Sequence, residues 1–151
     1  MENEIVTKVI TLDKQFYGLS FYNNSLASIP VETKSGLFNL VYCNDRVTYS
    51  DYNGKVVYCY DGSGKQIWQY TQDLSGPEGL CTDRYGNIIA TDYNCDRIIV
   101  ISKDGQNSKI LTGEEDGLTS PLCICFKHNE SSGFISDYRG TYLAKFLFSS
   151  G

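Results

Sequence analysis

A tripeptide recurs along this chain at a spacing that few architectures accommodate. Ser50-Asp51-Tyr52, Thr91-Asp92-Tyr93 and Ser136-Asp137-Tyr138 set a small hydroxyl residue, an aspartate and a tyrosine in the same order, and the aspartates stand 41 and 45 positions apart. A repeat of this length means that one supersecondary unit is copied along the chain and buries its apolar surface against the next copy. Around each anchor the residues alternate apolar and polar instead of recurring at three- and four-residue spacing, so the unit is built from strands and not helices. The three copies run over residues 40–64, 79–105 and 121–146.

The second copy divides into four short strands. An inner strand over 79–82 is followed by a turn at Asp83-Arg84-Tyr85-Gly86, a second strand over 87–91 with Ile88 and Ile89, and a hairpin from Asp92 to Asp96. A third strand over 97–102 leads through Asp104-Gly105, a pair suited to a tight turn with positive φ, to an outer strand over 109–112. Four short antiparallel strands at a period near 40 are the signature of a propeller blade, so the expected fold is all-β, an incomplete β-propeller of about three and a half four-stranded antiparallel blades. The expected parts are an outer strand plus a truncated blade in 1–35, blades in 36–74 and 75–117, and a blade lacking its outer strand in 118–151. Residues 7–12 read as an outer strand and 16–21 as an inner one, with Gly18-Leu19 matching Gly79-Leu80. Three and a half blades fall below the usual closed ring, which leaves sheet edges open and makes a homodimer through those edges one expectation.

Charge and composition narrow the function. The 13 Lys and Arg are outnumbered by 18 Asp and Glu, giving a net charge of −5, and the cations are scattered, which disfavours a general nucleic-acid binder. The 12 tyrosines and 7 phenylalanines suit half-buried pleated surfaces, and 14 glycines against 3 prolines suit many tight turns. No apolar run approaches the roughly 20 residues of a membrane helix. The acidic start Met1-Glu2-Asn3-Glu4 does not resemble a secretory signal, so a cytoplasmic, reducing location is expected, and the Asn-x-Ser sequons at Asn23 and Asn129 then have no role. The cysteines Cys43, Cys59, Cys81, Cys95, Cys123 and Cys125 form no C-x-x-C pair, and His128 is the single histidine. No metal or cofactor is therefore expected, and the thiols are expected to be free and buried. Cys123 and Cys125, two apart, are placed on a core face, with Leu122, Ile124 and Phe126 in the other apolar register.

The anchor residues admit two readings each. The repeated aspartate is either a binding group or a hairpin cap that accepts backbone N–H bonds, and the cap is the simpler reading; Asp92 can also pair with Arg97 across its hairpin. Tyr52, Tyr93 and Tyr138 follow the aspartates at one end of the sheets, where they either pack between blades or present a contact surface of the type enriched at binding hot spots. Lys55, Arg97 and Arg139 in the same hairpins are either solvated charges or contacts to phosphate or carboxylate. These six residues form the candidate partner-binding set. His128 stands in a polar turn, and no nucleophile–base pair can be assembled around it, so no catalytic residue is assigned.

The second copy resembles an NHL repeat. The residues that carry this are Pro77-Glu78-Gly79, Gly86-Asn87, Ala90-Thr91-Asp92, Asn94-Cys95-Asp96-Arg97-Ile98-Ile99-Val100 and Asp104-Gly105. Cys95 stands near the family's usual histidine, with one extra residue before Arg97; the first copy has Lys55 where arginine is usual, and the third has Arg139 and Thr141 in its hairpin. The resemblance runs from about residue 37 onward. In this tyrosine-rich form it is similar to the C-terminal propellers of tripartite-motif (TRIM) ubiquitin ligases, which implies a non-catalytic module that selects a protein partner, or in an alternative reading RNA, while ligase activity would belong to a RING-containing parent. A propeller hydrolase or lyase is a third reading, for which convergent carboxylates and histidines around a metal would be needed. A receptor-type propeller with Tyr-Trp-Thr-Asp repeats, which Val47-Thr48-Tyr49-Ser50-Asp51 faintly matches, is a fourth, weakened by the missing disulfide spacing.

Overall fold

The structure, a computed structural model, describes residues 21–22, 25–26, 39–127 and 132–147. The strands expected at 7–12 and 16–20, the residues Asn23, His128 and Asn129, and the final Ser149-Ser150-Gly151 lie outside the described residues. A short hairpin, β1 (Phe21–Tyr22) with β2 (Ser25–Leu26), precedes three larger sheets. The first holds β3 (Asn39–Cys43), β4 (Arg46–Asp51), β5 (Val56–Asp61) and β6 (Gln66–Tyr70). The second holds β7 (Pro77–Thr82), β8 (Ile88–Asp92), β9 (Arg97–Ile101) and β10 (Ser108–Thr112). The third holds β11 (Pro121–Lys127), β12 (Ser132–Asp137) and β13 (Leu143–Leu147). Each strand pairs antiparallel with its neighbour in the chain. The fold is thus all-β, an incomplete β-propeller whose sheets do not close, and the third sheet has three strands where the first two have four.

Local chemistry sets the turns. Asn44 and Asp45, both at positive φ (51° and 57°), join β3 to β4 in a two-residue turn whose twist matches the strands. At the same end of the sheets, Asp61, Asp83 and Asp104 each fold a turn by accepting the N–H two residues on, from Ser63 (2.9 Å), Tyr85 (2.8 Å) and Gln106 (3.1 Å). Acidic turn residues therefore act here on their own backbone.

Two apolar seams hold the sheets together. Val57, Cys59, Trp68 and Tyr70 of the first sheet meet Leu80, Ile88, Ala90, Ile99 and Ile101 of the second. Cys81, Ile89, Ile98 and Val100 of the second meet Ile124 and Ile135 of the third, with Phe126 and Phe146 against them. The hydroxyls of the first two anchors add a polar latch. Ser50 Oγ donates to the Glu78 carbonyl (2.5 Å), and Thr91 Oγ1 donates to the Leu122 carbonyl (3.2 Å). Both acceptors follow a buried proline that opens an inner strand, Pro77 and Pro121. In these two copies the small hydroxyl is therefore a link from one sheet to the next.

Gly79 makes that close approach feasible. A Cβ there would fall inside contact distance of the Leu122 carbonyl oxygen and within 3.1 Å of Thr91 Oγ1. Gly79→Ala is expected to force the second and third sheets apart and lower stability by about 1–3 kcal/mol. A reduced urea midpoint with unchanged slope would show this; an unchanged midpoint would mean that the seam yields freely.

The third sheet corrects the reading of the cysteines. Ile124 and Ile135 face the second sheet, while Cys123 and Cys125 lie on the opposite face and are exposed. Leu143, in register with Cys123 through Ser136, and Leu147, two rows beyond Cys125's partner row, are 70% and 69% exposed. An inner strand is apolar in both alternating sets, so the pattern cannot tell which set meets a neighbouring sheet. Of the other thiols, Cys59 and Cys81 are buried as expected, Cys43 is half-buried and Cys95 is exposed. Burial pushes the Cys59 and Cys81 thiols up. Like β6 and β10, β13 pairs with a single strand among the described residues.

Candidate docking site at the hairpin end

The β4–β5, β8–β9 and β12–β13 hairpins gather at one end of the stack, and the three repeated aspartates shape them. Asp51 accepts the Gly54 N–H (2.8 Å), and Asp137 accepts the Thr141 N–H (2.7 Å) together with the Thr141 hydroxyl. These are the hairpin caps read from the sequence. Asp92 differs. Its hairpin winds into a single 3-10 turn, Tyr93–Cys95, ending in Asp96 at φ 49°. The Asp92 carboxylate turns to the loop before β7, accepting the N–H of Ser75 (3.0 Å) and of Gly76 (2.7 Å).

Arg97 completes that arrangement from within. Its guanidinium pairs with Asp92 at 2.9 Å and donates to the Asp73 carbonyl. Asp92 is fully buried and Arg97 is 17% exposed, so the pair is an interior one. Lys55 sits exposed at the end of its hairpin with φ 56°. Tyr52 donates from its hydroxyl to Asn94 Oδ1 (3.0 Å), and its ring meets that of Tyr93 edge-on at 6.4 Å. Of the six candidate residues, Arg97 and Tyr52 are thereby engaged in joining one sheet to the next or one loop to its strand.

Tyr93 and Tyr138 are brought together. Both line a cavity of about 400 Å³ between the second and third sheets, with Thr119, Ser120, Asp137 and Arg139 around them. Both also line a second cavity of about 440 Å³, which reaches the inner strands of all three sheets through Asn39, Glu78, Gly79 and Leu122. Tyr138 is 70% exposed, whereas Tyr93 is half-buried. Lys55, Tyr52 and Arg97 line neither cavity. Glu78 and Asn39 were not singled out in the sequence: Glu78 is the middle residue of Pro77-Glu78-Gly79, where any side chain fits the repeat, and only the juxtaposition of three sheets gives it a site.

At this end local hydrogen bonding favours the ionised form of Asp137. The Thr141 hydroxyl bonded to Asp137 holds its carboxyl below the usual value. At other turns Ser63, Ser102 and Thr112 do the same for Asp61, Asp104 and Asp116. In the folded chain these groups bind protons less readily than in the unfolded chain, so their contribution is complete above the ordinary Asp pKa of about 3.9 and is lost as pH falls below it. The thermal midpoint is expected to drop between neutral pH and about pH 3; melts that superimpose across that range would contradict it. Among the described residues no group of three or more His, Cys, Asp and Glu is placed to hold a metal ion. No helix among them is long and apolar enough to cross a membrane.

No protein-family model matches the chain, and no curated protein does. Solved structures match by fold. A computationally designed protein, Ika4, is similar over 99% of this chain and 100% of its own, at 14% identity and TM-score 0.68. A chain of the nidogen/laminin complex is similar over 80% of this chain at 19% identity and TM-score 0.66. Virginiamycin B lyase from Staphylococcus aureus is similar over 89% of this chain at 15% identity and TM-score 0.60. The chain spans 56% of each of these last two. At such identities the likeness is one of architecture: this chain has the sheet arrangement of a β-propeller, left open.

Proposed function

We propose that this chain is a non-catalytic cytoplasmic module whose hairpin end docks a protein partner, the role played by the tripartite-motif propellers that its repeat resembles. In a longer RING-containing parent it would select the substrate for ubiquitin transfer. The observation that carries the reading is the convergence of Tyr93 and Tyr138 on the same two cavities, with Tyr138 presented to solvent. Tyrosine supplies a large contact area and a polar tip for few ordered torsions, which is why it dominates hot spots. Tyr93→Ala with Tyr138→Ala is expected to cost roughly 2 kcal/mol or more in partner binding, seen as loss of the interactors that the wild-type chain retains in an affinity pull-down. A double variant that keeps every interactor would remove this face from consideration.

RNA is the second reading, and Arg139 beside Tyr138 is the observation that favours it, since a guanidinium next to an aromatic ring suits a stacked base and its phosphate. It requires an affinity for RNA pools that falls steeply with added salt. Absence of binding at low salt would leave the protein partner alone.

A further inference from the structure

The larger of the two tyrosine cavities has an uneven chemistry. Of the residues that line it, Glu78 alone carries a charge; the others are Asn39, Gly79, Tyr93, Leu122, Cys123 and Tyr138. The Glu78 main chain is committed to the seam, its carbonyl accepting the Ser50 hydroxyl at 2.5 Å. Its carboxylate makes no hydrogen bond or ion pair among the described residues, unlike Asp51, Asp92 and Asp137, which are engaged around their hairpins. The residue is half-buried, and withdrawal from water is the one cause that pushes its carboxyl up. Of the arginines in the adjoining hairpins, Arg97 is held by Asp92 and Arg139 lines the neighbouring cavity. A carboxylate that is partly desolvated and uncompensated gains most from a cation delivered to it.

Resting on the docking role proposed above, we propose that this cavity receives a cationic side chain, lysine or arginine, from the protein partner, with Glu78 as the counter-charge and Tyr93 and Tyr138 as its aromatic walls. The volume, about 440 Å³, lies within the range of pockets that enclose a side chain or small ligand. Tyrosine ring faces attract ammonium and guanidinium groups, and more so away from bulk water. The net charge of −5 adds a long-range bias in the same direction. One carboxylate with neutral neighbours gives a single charge to match, which fits one basic side chain and not a run of them.

The test uses the full chain and three Gly/Ser decapeptides that differ at one central position: lysine, arginine or norleucine. Binding is read by amide chemical-shift titration. The lysine or arginine peptide is expected to bind roughly tenfold more tightly than the norleucine peptide. Glu78→Gln should abolish that margin; because the seam uses the Glu78 carbonyl and not its carboxylate, the fold should survive, and an unchanged amide spectrum away from the cavity checks this. Equal binding of all three peptides, or a margin that persists in Glu78→Gln, would overturn the inference. Pull-downs separate it from the reading beneath it. If the tyrosine double variant loses the partner while Glu78→Gln keeps it, the docking face stands and the cation site falls. If both variants keep the partner, the face itself is wrong.

Discussion

Asp92→Ala is expected to remove about 3–5 kcal/mol of stability, because it breaks a buried ion pair from one side and strands the groups around it. The carboxylate is fully buried and serves three donors at once: the Arg97 guanidinium at 2.9 Å, the Ser75 N–H at 3.0 Å and the Gly76 N–H at 2.7 Å. Alanine leaves Arg97, only 17% exposed, with the Asp73 carbonyl as its remaining contact, and orphans two backbone donors. Against a typical domain stability of roughly 5–15 kcal/mol, a loss of that size places the folded state near its limit. Arg97→Ala should also be costly, since it leaves the buried carboxylate uncompensated, and the two losses should be far from additive. Urea unfolding of the two single variants and the double variant measures this directly. Additive losses would show that the two side chains act separately.

Trp68→Ala carries the second large effect, an expected loss of about 3–5 kcal/mol from the seam between the first and second sheets. The indole is 7% exposed and belongs to the apolar cluster that joins these sheets. It lies so close to the β9–β10 turn that a Cβ on Gly105 would come within 2.6 Å of its ring, and Gly105 already sits at φ 72°, where glycine is favoured. The indole N–H donates to the Lys103 carbonyl at 3.1 Å, an acceptor shared with Arg46 at 2.9 Å. Trp68→Phe would keep much of the ring contact and lose the hydrogen bond, so a smaller loss of about 1–2 kcal/mol is expected. Calorimetric melting distinguishes the two variants. Equal midpoints for them would mean that the ring contributes little beyond its donor. Because Trp68 is the single tryptophan, its fluorescence in the wild-type chain reports on this seam alone.

What could be read in advance follows from how local each signal is. The aspartates of the repeat were legible as hairpin caps because an Asp side chain reaches backbone donors within its own turn, as Asp51 and Asp137 do. The Asp92–Arg97 pair was legible for the same reason, since β8 and β9 place the two residues directly opposite each other. The seams were not. The hydroxyl ahead of each aspartate was visible as a repeated feature, yet its partner is a carbonyl 28 residues away for Ser50 and 31 for Thr91. Cys123 and Cys125 were set on the wrong face because both faces of an inner strand are apolar. The proposed docking site divides in the same way. Tyr93 and Tyr138 stand out in the sequence by their position after the anchors, whereas Glu78 joins them only when β3, β7 and β11 stand side by side.

The strand order has a bearing on how the chain reaches this state. Each strand in the three large sheets pairs with the one just before or after it, so a sheet needs no segment made much later. β-hairpins close in microseconds, while a ribosome adds about 5–20 residues each second. The span from Pro77 to Thr112 would therefore take a few seconds to emerge and could zip up as it does so. Assembly then becomes a vectorial process, in which every finished unit waits with one bare side for its successor, and a pause in translation would prolong the interval in which that side is open to aggregation.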